Sequence, residues 1–458
     1  MTLGWAAESV GATWSAAGAE SLVSEVVTDS KTVQAGDLFV ALRGHRFDGH
    51  AFVAEAFARG AAGAVVERGR GGGDVRVIEV ADTLVALQRL ARAVRLAVGT
   101  KVIAITGSAG KTTTKEAIAA LLATRFRVVK NKGNLNNHIG LPLSLMQLRT
   151  APDVAVMELG MSHEGEIRTL VDIARPDCRV WTNVGDAHLG LFASAEAIAD
   201  AKAEILEGAT ASTVLVCNAD DRRVMARVGA FAGKRLTFGE APGATVRALR
   251  IEDRGLEGMR AEVTTPAGEC TFETPLLGRG NLQNVLAAAT VALECGIGLD
   301  VIATEIARLS PAERRGVIRR LRDGITLIDD SYNSSPAALG RALEVVRYEA
   351  RARPTIGVLG EMLELGDHAD ALHQECGRAA ADAGLRRLFV VGGAPARALA
   401  ASAVAAGMPP ASVSHFATSE EAGPAVVAAV QPGDLVLVKG SRGTHTDVIA
   451  DRLVAELS

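Results

Sequence analysis

Residues 102–114 restrict this chain to few folds: the apolar run Val102-Ile103-Ala104-Ile105 passes through Thr106-Gly107-Ser108-Ala109-Gly110 straight into Lys111-Thr112-Thr113-Thr114. That order predicts a buried strand, a tight glycine loop and the first turn of a helix. Glycines let backbone N–H groups converge on phosphate oxygens, and the helix N-terminus adds partial positive charge. In such a loop Lys111 reaches the β- and γ-phosphates, and the Thr112 hydroxyl suits Mg²⁺. The spacing is Gly107-x-x-Gly110-Lys111-Thr112, with Ile105 where the longer GxxxxGK[ST] pattern has its first glycine. The bland alternative is a glycine turn that only caps a helix. Strand, loop, lysine and hydroxyl in this order favour phosphate binding over it.

The segments around the loop extend the pattern. Short, nearly continuous apolar runs at 102–106, 127–130, 154–158, 179–184 and 213–217 alternate with helical stretches, as parallel strands covered on both faces do. Residues 244–275 change to polar–apolar alternation with glycine turns, which predicts a small antiparallel addition before a helix at 281–295. From about 309, strands at 325–329, 355–359, 387–391 and 435–439 are separated by alanine-rich helical segments. This layout is Rossmann-like, although no GxGxxG opens it. Residues 1–98 hold a strand-like run at 37–42, helical patterns at 51–59 and 83–97, and a glycine-rich loop at 69–73.

At 458 residues and ~150 per domain, the length predicts three domains. The expected architecture is α/β: a small N-terminal α/β domain (1–98), a central phosphate-loop domain with a doubly wound, mostly parallel sheet (99–308), and a C-terminal Rossmann-like domain (309–458).

Composition narrows the function. A formal net charge of −4, with basic and acidic residues mixed along the chain, argues against nonspecific nucleic-acid binding. Cys178, Cys217, Cys270, Cys295 and Cys376 form no CxxC pair, so reduced core thiols are expected in place of a disulfide framework or zinc site. No apolar stretch reaches the ~20 residues that span a bilayer, and Met1–Trp5 does not open a signal sequence. No membrane insertion is expected, and the expected location is the cytoplasm. Of 49 basic residues only nine are lysine. Arginine serves as well for surface charge but cannot react as a neutral amine, so each lysine deserves inspection for work arginine cannot do.

Two candidate site residues fall near predicted strand ends, and a lysine follows on a predicted helix. Glu158 closes the run Val154–Glu158, and His188 follows the run ending near Val184. In an open parallel sheet these carboxyl ends face the ligand crevice. A carboxylate there suits Mg²⁺. Taken alone, Glu158 reads equally as a capping acid, and His188 as a loop histidine. Lys202, in Ala201-Lys202-Ala203-Glu204-Ile205, reads alone as a solvated helix charge.

A series of motifs in order resembles the Mur ligase family over nearly the whole chain. It comprises GDLFVALRGHRFDGH (36–50), TGSAGKTTTKE (106–116), GNLNNHIGLPLSL (133–145), ELGMSHEGEI (158–167), TNVGDAHLGLF (182–192), AKAEI (201–205), IDDSYNSSP (328–336), GEMLELGDHADALH (360–373) and LVKGSRG (437–443). The resemblance implies an ATP-dependent ligase that joins D-Ala-D-Ala to UDP-MurNAc-tripeptide through an acyl-phosphate, acting as a monomer. It implies that Gly107, Ser108, Ala109, Gly110, Lys111, Thr112 and Thr113 bind ATP, with Asn281 and Asn284 at the adenine. Arg315 and Asp330 are implied at the phosphates and ribose. Lys202 is implied to be carbamylated and, with Glu158 and His188, to hold a second Mg²⁺ beside the one at Thr112. Ser30, Arg43, Asp48, Gly49 and His50 match the uridine-nucleotide region, while Asn137, Asn333 and Lys439 fall with the substrates.

The chain departs from the family pattern at Lys31 (usually Arg), at Gly280 (often His), at Ser334-Ser335 (usually Ala-Asn) and at Thr444-His445-Thr446 (usually a Met-containing stretch). The DNPR motif of the diaminopimelate-adding sister ligase is absent. Folylpolyglutamate synthetase has its loop near the chain start, whereas about a hundred residues precede Lys111 here. A GTPase-like switch fits poorly, because Asn131-Lys132-Gly133-Asn134 lacks the aspartate of NKxD.

Overall fold

The computed structural model describes residues 1–12, 14, 18–44, 47–72, 74, 76–185 and 189–458. The chain separates into two compact units. One holds Met1–Ile105, Arg125–Arg179 and Glu204–Val214; the other holds Thr106–Thr124, Val180–Ala203 and Leu215–Ser458.

The first unit opens with four parallel strands in sequential order, Val26–Val27, Leu38–Val40, Gly63–Glu67 and Val77–Val80. Phe39, Ala41, Ala64 and Val66 sit in one apolar cluster with Val33, Ala56, Ala61 and Val77. Helix Thr83–Ala97 begins where the Asp82 carboxylate accepts from the N–H groups of Leu84 and Val85, satisfying two donors that have no partner inside the helix. The same unit carries the parallel strands Val128–Lys130, Val154–Glu158 and Lys101–Thr106 as far as Ile105, which registers with Glu158.

The second unit contains the glycine loop and helix Lys111–Ala123. Strands Val246–Asp253, Met259–Thr265 and Gly268–Thr274 form the expected antiparallel addition. Strand Lys234–Gly239 pairs with them in parallel; half of its residues are polar, so it carries no clear apolar run. Helix Gly278–Glu294 follows.

Beyond residue 309 lies a six-stranded sheet in the order Val317–Arg320, Thr326–Asp330, Leu435–Lys439, Thr355–Gly360, Arg387–Val391, Val413–Phe416. The first pair is antiparallel and the others are parallel. Alternate residues of these strands enter two separate cores: Ile328, Leu359, Leu388 and Leu437 on one face, Leu327, Val358, Phe389 and Val438 on the other. Burial on both faces is why these strands read as continuous apolar runs. The two edge strands escaped the sequence pattern because they are short and carry polar residues, Arg319 and Arg320 in one, Ser414 and His415 in the other.

Candidate active site

The glycine loop is a cradle fixed by its neighbours within the second unit. Gly110 has φ +82° at the start of helix Lys111–Ala123, a conformation glycine adopts without strain. A Cβ there would also run into Asn284 Oδ1. Asn183 holds the loop from the far side: its Oδ1 accepts from Ala109 N–H at 2.9 Å, and its Nδ2 donates to Ala109 O at 3.0 Å. Thr182 Oγ1 donates to the same carbonyl at 2.8 Å. Ser108 N–H donates to Asn183 O, and Ser108 Oγ to Gly185 O at 3.2 Å. Lys111 Nζ turns back to Gly107 O at 2.8 Å, inside the loop where a phosphate oxygen would be received.

Thr182 and Asn183 were not singled out from the sequence. Their signal was present, an amide and a hydroxyl just beyond a buried strand. The sequence reading prolonged that strand to 184, whereas it ends at Trp181 so that these two side chains can turn onto the loop.

Asn281 and Asn284 stand one turn apart on helix Gly278–Glu294, so they share a face. Asn284 Nδ2 donates to Asn281 Oδ1 at 3.1 Å, and Thr114 Oγ1 donates to Asn284 Oδ1 at 3.2 Å. Asn281 Nδ2 is anchored on Leu277 O at 2.9 Å. Both asparagines line a cavity of about 370 Å³ together with Ser108, Ala109, Gly110, Lys111 and Thr113. Arg315, Asp330, Asn333 and Lys439 line the same cavity. Ten of the predicted residues, spread over more than 300 positions, thereby share one site with Ala109. Thr112 lies in the first turn of helix Lys111–Ala123 but does not line the cavity.

The two adjacent arginines have different surroundings. Arg314, at φ +56°, donates from Nη2 to both carboxylate oxygens of Asp451 (3.0 and 2.9 Å). Arg315 instead lies over the Tyr332 ring at 4.2 Å and faces the cavity. Asp330 Oδ2 receives Lys439 Nζ at 2.6 Å, and the same ammonium donates to Asn333 O at 3.0 Å.

Lys202 is not the solvated charge its helix position suggests. It is 2% exposed in helix Ala195–Ala203, and burial pushes its amine well below the ordinary lysine range, with the positive charge of Lys111 acting in the same direction. A neutral amine is the form that can react with carbon dioxide.

Glu158, in the first unit, is 3% exposed at the end of its strand. Asn136 Nδ2 donates to Glu158 Oε1 at 2.9 Å. Asn131 binds the Glu158 backbone on both sides, accepting from its N–H at 2.9 Å and donating to its carbonyl at 3.3 Å. Asn137 Oδ1 accepts from Ile139 and Gly140 N–H at the start of helix Gly140–Leu145. His188 lies outside the described residues. Among the described residues no group of three or more His, Cys, Asp or Glu side chains could hold a metal. The oxygen donors Glu158 and Thr112 and the neutral amine of Lys202 nevertheless suit a hard cation and a carbamate.

The predicted nucleotide residues near the N-terminus also meet, apart from Ser30. His50 Nε2 accepts from Glu67 N–H at 2.9 Å, which places the ring proton on Nδ1, 2.6 Å from Asp48 Oδ1. The hydrogen bond from the His50 ring holds the Asp48 carboxyl below the ordinary carboxylate range. Asp48 also caps the short helix Gly49–Phe52 and pairs with Arg70, while Arg43 pairs with Glu67. Ser30 sits elsewhere in the unit, its Oγ donating to Glu55 Oε2 at 3.3 Å.

Family models match three successive segments: the Mur ligase family catalytic domain at 22–95, the Mur ligase middle domain at 105–292, and the Mur ligase glutamate ligase domain at 314–442. The UDP-N-acetylmuramoyl-tripeptide–D-alanyl-D-alanine ligase of Bacillus subtilis (strain 168) is 35% identical over 95% of this chain and 94% of that protein. The chain belongs to the Mur ligase family. Its Escherichia coli (strain K12) relative of the same name is 34% identical over 95% of each chain. Among solved Mur ligases, MurF from Acinetobacter baumannii superposes with a TM-score of 0.90 at 32% identity, covering 99% of each chain. The MurF ligase of Thermotoga maritima in complex with ADP gives 0.83 at 29% identity, covering 94% of this chain and 97% of that one. No helix among the described residues of this Mur ligase is long and apolar enough to cross a membrane.

Proposed function

We propose that this Mur ligase joins D-Ala-D-Ala to UDP-MurNAc-tripeptide, giving UDP-MurNAc-pentapeptide, ADP and phosphate in peptidoglycan synthesis. The observation that carries this reading is the cavity in which the glycine loop, Asn281, Asn284, Arg315, Asp330 and Lys439 converge. It supplies backbone N–H groups, five cationic side chains (Lys111, Arg315, Arg341, Lys439 and Arg442) and polar side chains for a nucleoside triphosphate. The names and full-length similarity of the relatives support the substrates.

The tripeptide's terminal carboxylate oxygen attacks the γ-phosphorus of ATP and ADP departs, leaving an acyl-phosphate. The D-Ala-D-Ala amine then attacks the acyl carbon, loses a proton, and phosphate leaves as the amide forms. Positioning and charge neutralisation carry most of such a reaction. Lys111 and Arg315 offset the negative charge where two anions meet. Asp330 is proposed to take the ribose, and Asn281 with Asn284 the adenine.

Thr112, and Glu158 with His188 and Lys202 as its carbamate, are proposed to hold two Mg²⁺ ions, which when bound add charge neutralisation at the phosphates. The carbamate forms when the neutral Lys202 amine bonds to the carbon of CO₂ and releases a proton to solvent. Ser30, Arg43, Asp48, Gly49 and His50 are proposed to bind the uridine nucleotide, and Asn137 and Asn333 to contact the substrates. The division into domains 1–98, 99–308 and 309–458 is supported by the three family matches. Soluble nucleotide substrates favour a cytoplasmic location. A monomer is proposed, as the family resemblance implies.

The test is phosphate release from Mg-ATP with each substrate omitted in turn, followed by the mass of the product. Release that needs both UDP-MurNAc-tripeptide and D-Ala-D-Ala, with a pentapeptide product, is expected. Release with a single amino acid in place of the dipeptide would move the chain to a sister activity.

A further inference from the structure

Arg341 lies on helix Pro336–Glu349 and lines the nucleotide cavity beside Gly280, Asn281 and Ala338. Among the described residues its guanidinium forms no hydrogen bond and no ion pair, and burial lowers its pKa, with Glu344 and Asp330 near enough only to oppose that shift. A planar cation set half-buried in a cavity wall without a partner is costly unless a ligand supplies one.

Gly280 is what admits this arginine. A Cβ built on Gly280 would lie 2.6 Å from Arg341 Cδ and 2.9 Å from Nε, so any side chain there takes the space of the arginine stem. The residue after Gly280 is Asn281, which faces the same cavity.

Arg341 also lines a second cavity. It shares Ser108, Ala109, Asn183, Ser335 and Arg341 with the first, and adds Asn218, Gln283, the carboxylates Glu196, Asp220 and Asp221, and the cations Arg222 and Arg223. Gly110, Lys111 and Thr113 of the phosphate loop line the first cavity and not the second. Within the first cavity Arg341 packs against Gly280 and so stands beside Asn281, one of the two asparagines proposed at the adenine.

We propose that Arg341 packs its guanidinium plane against the purine of the bound nucleotide, in the space that Gly280 leaves open. This rests on the nucleotide site proposed above and adds a contact to it. Arginine is suited to the role because its plane is delocalised, weakly hydrated and stacks on ring faces, which a lysine ammonium does not reproduce.

The experiment measures binding of ADP and of tripolyphosphate, each with Mg²⁺, by calorimetry to wild type, Arg341→Ala, Arg341→Lys and Gly280→Ala. Expected are a weakening of ADP binding of roughly ten-fold in Arg341→Ala and in Arg341→Lys, with tripolyphosphate unchanged. Gly280→Ala should weaken ADP as well, and add little once Arg341 is already alanine. Unchanged tripolyphosphate binding shows in the same titrations that the variants fold. Equal loss for both ligands, rescue by lysine, or no loss for ADP would overturn the inference. If wild type itself binds neither ligand, the nucleotide site is what fails.

Discussion

Lys439 Nζ donates to Asp330 Oδ2 at 2.6 Å, and the two residues are register partners on adjacent parallel strands although 109 positions separate them. The lysine side chain is 3% exposed and the aspartate 22%. Each therefore neutralises a charge that the strand ends bring out of water.

Breaking such a pair from one side leaves the other charge uncompensated. Lys439→Met should destabilise the protein by about 1–3 kcal/mol, discounted for the partial exposure of Asp330. The double variant Lys439→Met/Asp330→Asn should lose less than the sum of the single changes. Urea denaturation of the four proteins checks this, and strict additivity would mean that the contact contributes nothing.

Arg314 and Arg315 are expected to separate stability from turnover. Arg314→Ala removes the bonds to Asp451 and should cost roughly 1 kcal/mol of stability, with little effect on the KM for ATP. Arg315→Ala removes a cavity-facing cation and should lower kcat/KM for ATP by about 100-fold or more without a change in melting. Thermal melts and initial rates on the two variants decide it, and the reverse pattern would transfer the phosphate role to Arg314.

Lys202 should leave a signature in stability against pH. Its folded-state pKa is depressed, so between that value and the ~10.4 of an exposed lysine the unfolded chain binds a proton that the folded chain does not. Stability therefore rises with pH through this window and is lost as pH falls through the folded-state pKa. In CO₂-free buffer, denaturation midpoints of wild type should climb with pH more steeply than those of Lys202→Met. Equal slopes would mean that the buried amine titrates normally.

The Asp48–His50 contact sets a second pH dependence, of the carboxylate kind. Asp48 is held below its ordinary value of 3.8 chiefly by the His50 ring hydrogen bond, so the contribution is present above that pH and is lost as pH falls through the lower folded-state pKa. Replacing His50 with Gln should raise the Asp48 pKa, read by carbon-detected NMR titration. Asp48→Asn should weaken uridine-nucleotide binding while leaving ADP binding unchanged. An unmoved Asp48 titration in the His50 variant would show that Arg70 does the work instead.

Much of the fold was legible because its signals are local. Several parallel strands, Lys101–Thr106, Val154–Glu158 and Leu435–Lys439 among them, announced themselves as short apolar runs, whereas the parallel strands Val26–Val27, Gly63–Glu67 and Val77–Val80 went unread. Strands Val317–Arg320, Val413–Phe416 and Lys234–Gly239 were missed as well, because their polar residues break the run. Within the site, Gly107 to Thr113 form one contiguous segment whose backbone geometry follows from residue type, so the loop could be read directly. Lys202 was ambiguous for the opposite reason: helical spacing does not tell which face of a short alanine-rich helix is buried.

The amino-acid sequence by itself determined the glycine loop, the α/β alternation and the order of motifs that marks a Mur ligase, because strand, turn and helix preferences act over a few neighbouring residues. Only the tertiary structure decided that Asp330, Asn333 and Lys439 meet, that Arg315 rather than Arg314 faces the cavity, that Thr182 and Asn183 hold the loop, and that Arg341 fills the space above Gly280. Those contacts join side chains from distant strands and helices, and their partners are set by sheet register and helix packing, which no local pattern encodes.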